Sequence, residues 1–173
     1  MTAEEIVPVV DDHDRIVGSA SISEVHLKGL LHREAYTYLI NLKGQLLLQR
    51  RADNDLWDHS SAGHFSEKET YLDGAMREFS EELGIRLEQD EFTTLCYVKL
   101  KSEGTRNKHN NRFVTVFLVR KNIPIERFHI DEKEMSAVRY FDASEMKHLL
   151  LEPKRMTRSA KVLIEKYLLK LLT

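Results

Sequence analysis

Residues 63–85, GHFSEKETYLDGAMREFSEELGI, form the stretch of the chain that decides the fold. Its apolar residues recur at the spacing of a helix with one buried face. They are Leu72, Ala75, Met76, Phe79 and Leu83. We therefore predict a helix over about residues 70–83, and Gly84 is well placed to end it.

Three glutamates, Glu78, Glu81 and Glu82, crowd into this predicted helix. Glu78 and Glu82 are four positions apart, so they lie one above the other on the same ridge. Like charges at that spacing weaken a helix slightly. A bound divalent cation would remove this repulsion, because hard cations such as Mg²⁺ prefer oxygen ligands and bridge carboxylates to phosphates. The alternative for such a pair is an ordinary solvated acidic face.

The spacing around the glutamates matches a longer pattern. Gly63 is followed by five residues and Glu69, then by seven residues and the run REFSEELGI at 77–85. This is, position for position, the Nudix signature G-x5-E-x7-R-E-U-x-E-E-x-G-U, where U is a bulky aliphatic or aromatic residue. The chain thus resembles the Nudix hydrolases. The resemblance implies an α/β fold, an α/β/α sandwich with a mixed sheet, in a single Nudix domain over residues 1–173.

The resemblance also implies the site residues. Glu78, Glu81 and Glu82 would hold one or more Mg²⁺ or Mn²⁺ ions, joined by the backbone carbonyl of Ala62. Glu81 is a candidate general base, although ligand and base roles vary across the family.

Glu69 and Arg77 would form a supporting ion pair that orients the ligand loop and helix. An ordinary surface salt bridge is the alternative for this pair. Glu103, Glu132 and Glu134 lie in or beside predicted loops and are favoured as solvated charges.

A second resemblance covers roughly residues 10–64, where VDDHDRIVG, VHLKGLLHREA, NLKGQLLLQRRA and WDHSSAGH are similar to the isopentenyl-diphosphate isomerase branch of the superfamily. In the isomerase, three histidines and two glutamates form a metal site, while a cysteine and a glutamate move protons. His26, His32 and His64 fall at or near the histidine positions.

The catalytic positions of the isomerase are not kept. Ala62 stands at the cysteine position, and the two later glutamates fall around Asn110 and Arg112. We therefore expect hydrolase chemistry on an isomerase-like scaffold. The histidines are favoured as satisfied scaffold residues, and metal binding by them stays open.

Arg50 and Arg51 end an apolar strand, LLLQRR. The family resemblance makes them candidate contacts for a substrate diphosphate, a role that suits the guanidinium fork. Strand neighbours point to opposite faces, so we expect one of the two to reach the site. Lys101, Arg106, Lys108 and Arg112 make a predicted polar loop basic, either as part of a lid or simply as solvated charges.

Composition sets the remaining limits. The chain has 173 residues, 42% hydrophobic and 31% charged, with a net charge of −2. We expect no attraction to a nucleic acid polymer or an anionic membrane. Cys96 is the sole cysteine, so an internal disulfide is excluded. We see no signal peptide and no membrane span, and a cytoplasmic location is the default expectation.

The other elements follow from periodicity and turn residues. We predict two strands around an Asp-rich turn in 6–18, a short helix or irregular segment at 21–31, a hairpin over 35–51, a short strand at 57–62, paired strands at 92–101 and 113–120, a strand at 135–141, a capped helix from 142 and a terminal helix over 161–171.

The leading hypothesis is a Mg²⁺-dependent pyrophosphohydrolase. Its partner would be a small-molecule diphosphate, either a nucleoside diphosphate linked to another moiety or a similar organic diphosphate. One alternative is an isopentenyl-diphosphate isomerase-like enzyme, and another is a non-catalytic nucleotide-sensing module. A homodimer is compatible with the sequence, which leaves the organic moiety and the number of metal ions open.

Overall fold

The computed structural model describes residues 4–103 and 109–173. The strands in these ranges are β1 (Ile6–Val10), β2 (Ile16–Ser21), β3 (His32–Ile40), β4 (Leu46–Arg51), β5 (Trp57–Asp58), β6 (Ser61–His64), β7 (Phe92–Glu103), β8 (His109–Arg120) and β9 (Met135–Phe141). The helices are α1 (Ile22–Lys28), α2 (Tyr71–Leu83), α3 (Ala143–Leu151) and α4 (Arg158–Leu163). A π-helical turn, Ile164–Leu168, and a 3-10 turn, Leu169–Leu171, extend α4. None of the helices in the described ranges is long and apolar enough to cross a membrane.

The strands form one mixed sheet. Its main path runs β2-β1-β3-β4-β5, with β6 and β8 also paired to β3, β7 paired to β8, and β9 paired to β4. Strands β3 and β8 run parallel, and the other pairings among the described strands are antiparallel. The predicted α/β class with a mixed sheet is confirmed.

Helices cover both faces of this sheet. Helix α2 packs one apolar face, with Phe79 and Leu83, against sheet residues such as Leu39. On the other face, α3 and α4 pack against a second core that contains Tyr38 and Val116. Burial of these two apolar layers drives the arrangement, at about 1.5–3 kcal/mol for each large side chain. The result is the three-layer sandwich predicted from the sequence.

Local signals fix both ends of α2. Thr70 is the N-cap, and its side chain forms a reciprocal capping box with Asp73. Gly84 ends the helix with a φ of 69°, in the left-handed region that favours glycine. The predicted helix over 70–83 is confirmed to within one residue.

The predicted hairpin over 35–51 is only partly right. Its turn closes through Asn41, whose Oδ1 accepts hydrogen bonds from the backbone N–H groups of Lys43 and Gln45. However, β3 and β4 pair at a single position, Ile40 with Leu46, and then separate. The two strands separate because β3 takes β6 as its partner while β4 takes β9.

Three other element predictions need correction. The predicted strand at 57–62 is two short strands, β5 and β6. Strands β7 and β8 extend into the predicted polar loop, so Arg112 belongs to β8 and is buried. Arg106 and Lys108 lie outside the described residues.

The terminal helix begins at Arg158, three residues before the predicted start, because Thr157 caps it. The 21–31 segment contains a helix, α1, capped by Ser21.

Candidate functional site

Helix α2 turns two of its glutamates toward strand β6. Glu82 is buried, and its Oε2 accepts a hydrogen bond from the Ala62 N–H at 3.0 Å. Gln49 Nε2 lies 3.4 Å from Glu82 Oε1. The Glu78 side chain is 13% exposed. Ala62 therefore contacts Glu82 through its amide N–H. Metal binding by the Ala62 carbonyl stays a prediction.

Gly63 makes room for the Glu78 carboxyl group. A Cβ atom added at Gly63 would lie 2.1 Å from Glu78 Cδ and 2.4 Å from Oε1, far inside van der Waals contact. We call the Nudix signature at residues 63–85 the box. Its glycine, Gly63, has a steric function, because a side chain at this position would fill the space that the Glu78 carboxyl group occupies.

Burial makes this pair of carboxylates costly to ionise. Burial raises the pKa of Glu78 to about 7, against the opposing effect of Arg77. Burial also raises the pKa of Glu82 well above its usual range, and the neighbouring charges of Glu78 and Glu134 add to the effect. A divalent cation would add positive charge and favour the ionised form of both carboxyl groups.

Arg77 connects the glutamates to one another and to β6. Its Nε donates to Glu69 Oε1 at 2.8 Å, and its Nη1 donates to Glu78 Oε1 at 2.8 Å and to Glu81 Oε2 at 2.9 Å. Its Nη2 donates to the His64 carbonyl at 2.8 Å. Burial opposes ionisation of Glu69, but hydrogen bonds from Arg77 and Ser66 lower its pKa overall. The Glu81 side chain is 60% exposed, so it is the glutamate of the three that faces solvent most.

A cavity of about 190 Å³ opens beside Glu82. Its lining comprises Gln49, Arg51, Asp53, Glu82, Lys133 and Glu134. Arg51 therefore reaches the glutamate region while also pairing with Asp53 at 2.9 Å. Arg50 pairs with Asp55 instead and is not part of this lining.

Lys133 was missed by sequence reasoning, because a lysine in a charged loop gives no pattern that distinguishes it from a solvated residue. Glu134 was favoured as a solvated loop charge; it is exposed, and it also lines this cavity.

The three histidines come together at a second cluster. His26 from α1, His32 from β3 and His64 from β6 have ring centroids 5.1–5.2 Å apart. Glu34 joins them, and one ligand atom from each of the four residues lies within 4.8 Å of the others. We name these four residues the histidine cluster. The sequence did carry a signal for Glu34: in the run His32-Arg33-Glu34, alternate residues of a strand face the same side.

The expectation that these histidines are satisfied scaffold residues stays a prediction. His26 Nδ1 and His32 Nε2 are buried without a hydrogen-bond partner among the described residues, whereas His64 Nε2 lies 3.1 Å from Glu34 Oε1. Arg112 lies at the cluster as the alignment suggested, with its Nη1 3.2 Å from Glu34 Oε2.

Comparison with known proteins identifies the family. A family model described as the NUDIX domain matches residues 30–166. The chain belongs to the Nudix family. Nudix hydrolase 3 of Arabidopsis thaliana is 39% identical over 137 residues, which cover 73% of this chain and 18% of that protein. An isopentenyl-diphosphate Delta-isomerase of Pectobacterium atrosepticum is 31% identical over 163 residues, which cover 91% of this chain and 87% of that protein.

Solved structures share the fold. The crystal structure of a MutT NUDIX hydrolase from Burkholderia pseudomallei superposes with a TM-score of 0.62 at 19% identity, covering 79% of this chain and 97% of that one. The crystal structure of DR0079 from Deinococcus radiodurans superposes with a TM-score of 0.74 at 19% identity, covering 94% of this chain and 99% of that one. The chain thus has Nudix architecture over most of its length. The chain spans only 18% of the length of Nudix hydrolase 3, and the names of the sequence relatives include both hydrolases and isomerases.

Proposed function

We propose that the chain is a divalent-cation-dependent Nudix pyrophosphohydrolase that cleaves the diphosphate of a nucleoside diphosphate linked to another moiety, or of a similar organic diphosphate. One observation carries the proposal. Two stacked carboxylates, Glu78 and Glu82, are buried against β6 beside a cavity that also presents the cations Arg51 and Lys133. Such a juxtaposition suits a substrate that brings phosphate oxygens to a metal.

The residues present fit Mg²⁺ or Mn²⁺. The donors are carboxylate oxygens on a helix, the ligand type that hard cations prefer, and the structure offers Glu82 few compensating hydrogen bonds. When bound, the cation would screen the diphosphate and lower the pKa of a coordinated water.

The chain's own residues supply the other functions. In the proposal, Arg77 holds Glu78 and Glu81 in position through its Nη1 contacts, and Glu69 holds Arg77. Glu81 is the exposed glutamate, so it is the member of the set that can accept a proton from an attacking water. Arg51 and Lys133 bind the phosphate groups from the cavity wall.

A screen of diphosphate substrates with Mg²⁺ and Mn²⁺, read by product mass, tests the proposal. We expect metal-dependent cleavage between the two phosphorus atoms of at least one nucleoside diphosphate derivative, and loss of that activity in Glu78→Gln. Cleavage that is unchanged in Glu78→Gln would show that the box glutamates do not carry the reaction.

An isopentenyl-diphosphate isomerase is the second candidate. It is favoured by the Pectobacterium relative and by the convergence of His26, His32 and His64. Against it, the resemblance puts Ala62 where the isomerase has its cysteine and the fixed cation Arg112 near the reacting centre, where it opposes a carbocation-like state.

Isotope exchange separates the two activities. We expect neither dimethylallyl diphosphate nor deuterium incorporation from deuterated water into isopentenyl diphosphate, and we expect Ala62→Cys to create no activity. Metal-dependent incorporation above a Glu78→Gln control would favour the isomerase.

A further inference from the structure

Arg51 lies on the face of β4 that is turned toward α2. Gln49, two residues earlier, reaches Glu82 with its side-chain amide, and alternate residues of a strand share a face. Both Gln49 and Arg51 line the cavity of about 190 Å³ beside Glu82. The Arg51 side chain is 40% exposed, so solvent also reaches its guanidinium. The partners that this guanidinium already has therefore decide which further anion it can bind.

Asp53 occupies the edge of the Arg51 guanidinium that is formed by Nε and Nη2. Nε donates to Asp53 Oδ1 at 2.9 Å, and Nη2 donates to Asp53 Oδ2 at 3.1 Å. The Asp53 side chain is 62% exposed, lies in the turn after β4 and lines the same cavity. Two oxygens of a phosphate group match the same edge of a guanidinium. Asp53 thus takes the position on Arg51 that a phosphate group of a substrate would need.

A second aspartate, Asp58, contacts the remaining nitrogen of the guanidinium. Arg51 Nη1 lies 3.5 Å from Oδ2 of Asp58, which is buried. The other oxygen of Asp58, Oδ1, accepts hydrogen bonds from the Thr157 hydroxyl at 2.6 Å and from the His59 N–H at 2.9 Å. The protein thus fixes one carboxylate oxygen and directs the other at the arginine. A buried carboxylate is costly without partners, so we expect Asp58 to keep its contact with Nη1 when the exposed edge changes partner.

We propose that Asp58 positions Arg51 and that Asp53 is a displaceable counterion, which a phosphate group of the substrate replaces on the Nε and Nη2 edge; this rests on the proposed binding of a diphosphate at the cavity. Exposed ion pairs contribute little to stability, so the exchange of partners costs little. The buried contact with Asp58 keeps the guanidinium at the cavity during the exchange. Asp53 is then an internal competitor of the substrate, which raises KM and leaves the chemical step unchanged.

The turn after β4 offers a matched control for Asp53. Asp55 forms an ion pair with Arg50, and neither of these two residues is among the described residues that line the cavity. Asp53→Asn and Asp55→Asn each remove one negative charge from the same turn, so a general change of surface charge affects both variants alike. A difference between the two variants therefore reports the contact of Asp53 with Arg51.

Binding of imidodiphosphate, a non-hydrolysable analogue of inorganic pyrophosphate, measures the exchange without relying on catalysis. Isothermal titration calorimetry in a fixed excess of Mg²⁺ gives Kd for the wild type and for each variant. We expect Asp53→Asn to bind imidodiphosphate about three- to tenfold more tightly, and Asp55→Asn to change Kd by less than about twofold. Asp58→Asn keeps the shape of the side chain but removes its charge, so we expect binding about three- to tenfold weaker.

A double-mutant cycle shows whether the two aspartates act through Arg51. In an Arg51→Ala background, we expect Asp53→Asn and Asp58→Asn each to change Kd by less than about twofold, because their shared partner is gone. Where a diphosphate is hydrolysed, the same changes should appear in KM, while kcat stays within about twofold of the wild type. Circular dichroism checks that each variant is folded, and the exposed Asp53 and Asp55 variants still test the proposal if Asp58→Asn does not fold.

Four outcomes would overturn the proposal. They are absence of imidodiphosphate binding to the wild type, equal effects of Asp53→Asn and Asp55→Asn, an unchanged Kd in a folded Asp58→Asn protein, and effects of the Asp53 and Asp58 variants that persist in the Arg51→Ala background. Failure of the proposed hydrolysis gives a different result: imidodiphosphate binding then follows the expected pattern, whereas the substrate screen shows no cleavage.

Discussion

The box glutamates and the histidine cluster are two groups of ionisable residues on opposite sides of one short strand, and they were assembled in different ways. The glutamates Glu78, Glu81 and Glu82 lie on a single helix, within a segment of 13 residues, Tyr71–Leu83. The histidine cluster draws one helix and two strands together. The first group is therefore written locally in the sequence, whereas the second exists only after the sheet has formed. Their side chains differ as well: the first group consists of carboxylates, whereas the second consists mainly of imidazoles.

The largest effect should come from Glu82→Gln. Glutamine keeps the size of the side chain but removes the charge that would hold the cation, and metal stabilisation is worth several kcal/mol. We expect kcat to fall by at least about 100-fold at saturating Mg²⁺, while the fold persists. If a folded Glu82→Gln protein kept a turnover close to that of the wild type, Glu82 would not be a ligand of the catalytic cation.

Stability of the metal-free protein should depend on pH through the box. The pKa of Glu78 is raised from 4.5 to about 7 by burial. The folded state therefore keeps a proton that the unfolded state has lost, and stability falls as pH rises from about 4.5 through about 7, by about 3 kcal/mol for this group. Glu82 shifts in the same direction.

Urea unfolding in a chelator at pH 5 and pH 8 measures this difference. Glu78→Gln should flatten the dependence, and Mg²⁺ should restore stability to the wild type at pH 8. Equal stability of the metal-free wild type at both pH values would mean that hydration or a rearrangement removes the cost of ionising Glu78 and Glu82.

Gly63→Ala should damage the carboxylate site on α2. The new methyl group would displace the Glu78 carboxyl group, so we expect a loss of about 10- to 100-fold in kcat. Gly18→Ala, in strand β2, is the matched control, because a Cβ there meets nothing within 4 Å. A variant with full hydrolytic activity would show that the carboxylate has room elsewhere.

The smallest effect separates the two neighbouring arginines. Arg51 lines the cavity beside Glu82, so Arg51→Ala should raise KM about three- to tenfold with a smaller change in kcat. Arg50 pairs with Asp55 and is not among the residues that line the cavity, so Arg50→Ala should change KM less than twofold. Steady-state kinetics at fixed Mg²⁺ compares them, and a larger effect at Arg50 would reverse the assignment.

The sequence predictions were correct where neighbouring residues determine the structure, and they failed where residues far apart in the chain determine it. The limits of α2 were predictable because Thr70 and Gly84 act within one helical turn. The turn at Asn41 was predictable for the same reason, but the pairing of β3 was not, since its partners β6 and β8 lie far along the chain.

The site shows the same division. The contacts of Arg77 with Glu69 and Glu78 join residues close in sequence, within the matched box. The place of Glu34 depends on β6 and β8, which bring His64 and Arg112 to it. The strand register cannot be read from the sequence alone. The sequence therefore marks Glu34 only by its position two residues after His32, on the same face of a strand.

The parallel pair β3–β8 has a consequence for how the protein acquires its sites. Glu34 and Arg112, which meet across this pair, are 78 positions apart in the sequence. Closing so long a loop costs chain entropy before any contact repays it, and pairings of this kind slow folding. During refolding, helix α2 is expected to form early from its own caps, whereas the histidine cluster waits for the rate-limiting closure of the sheet. The two groups of ionisable residues thus differ in the order in which they form during folding, as well as in their chemistry.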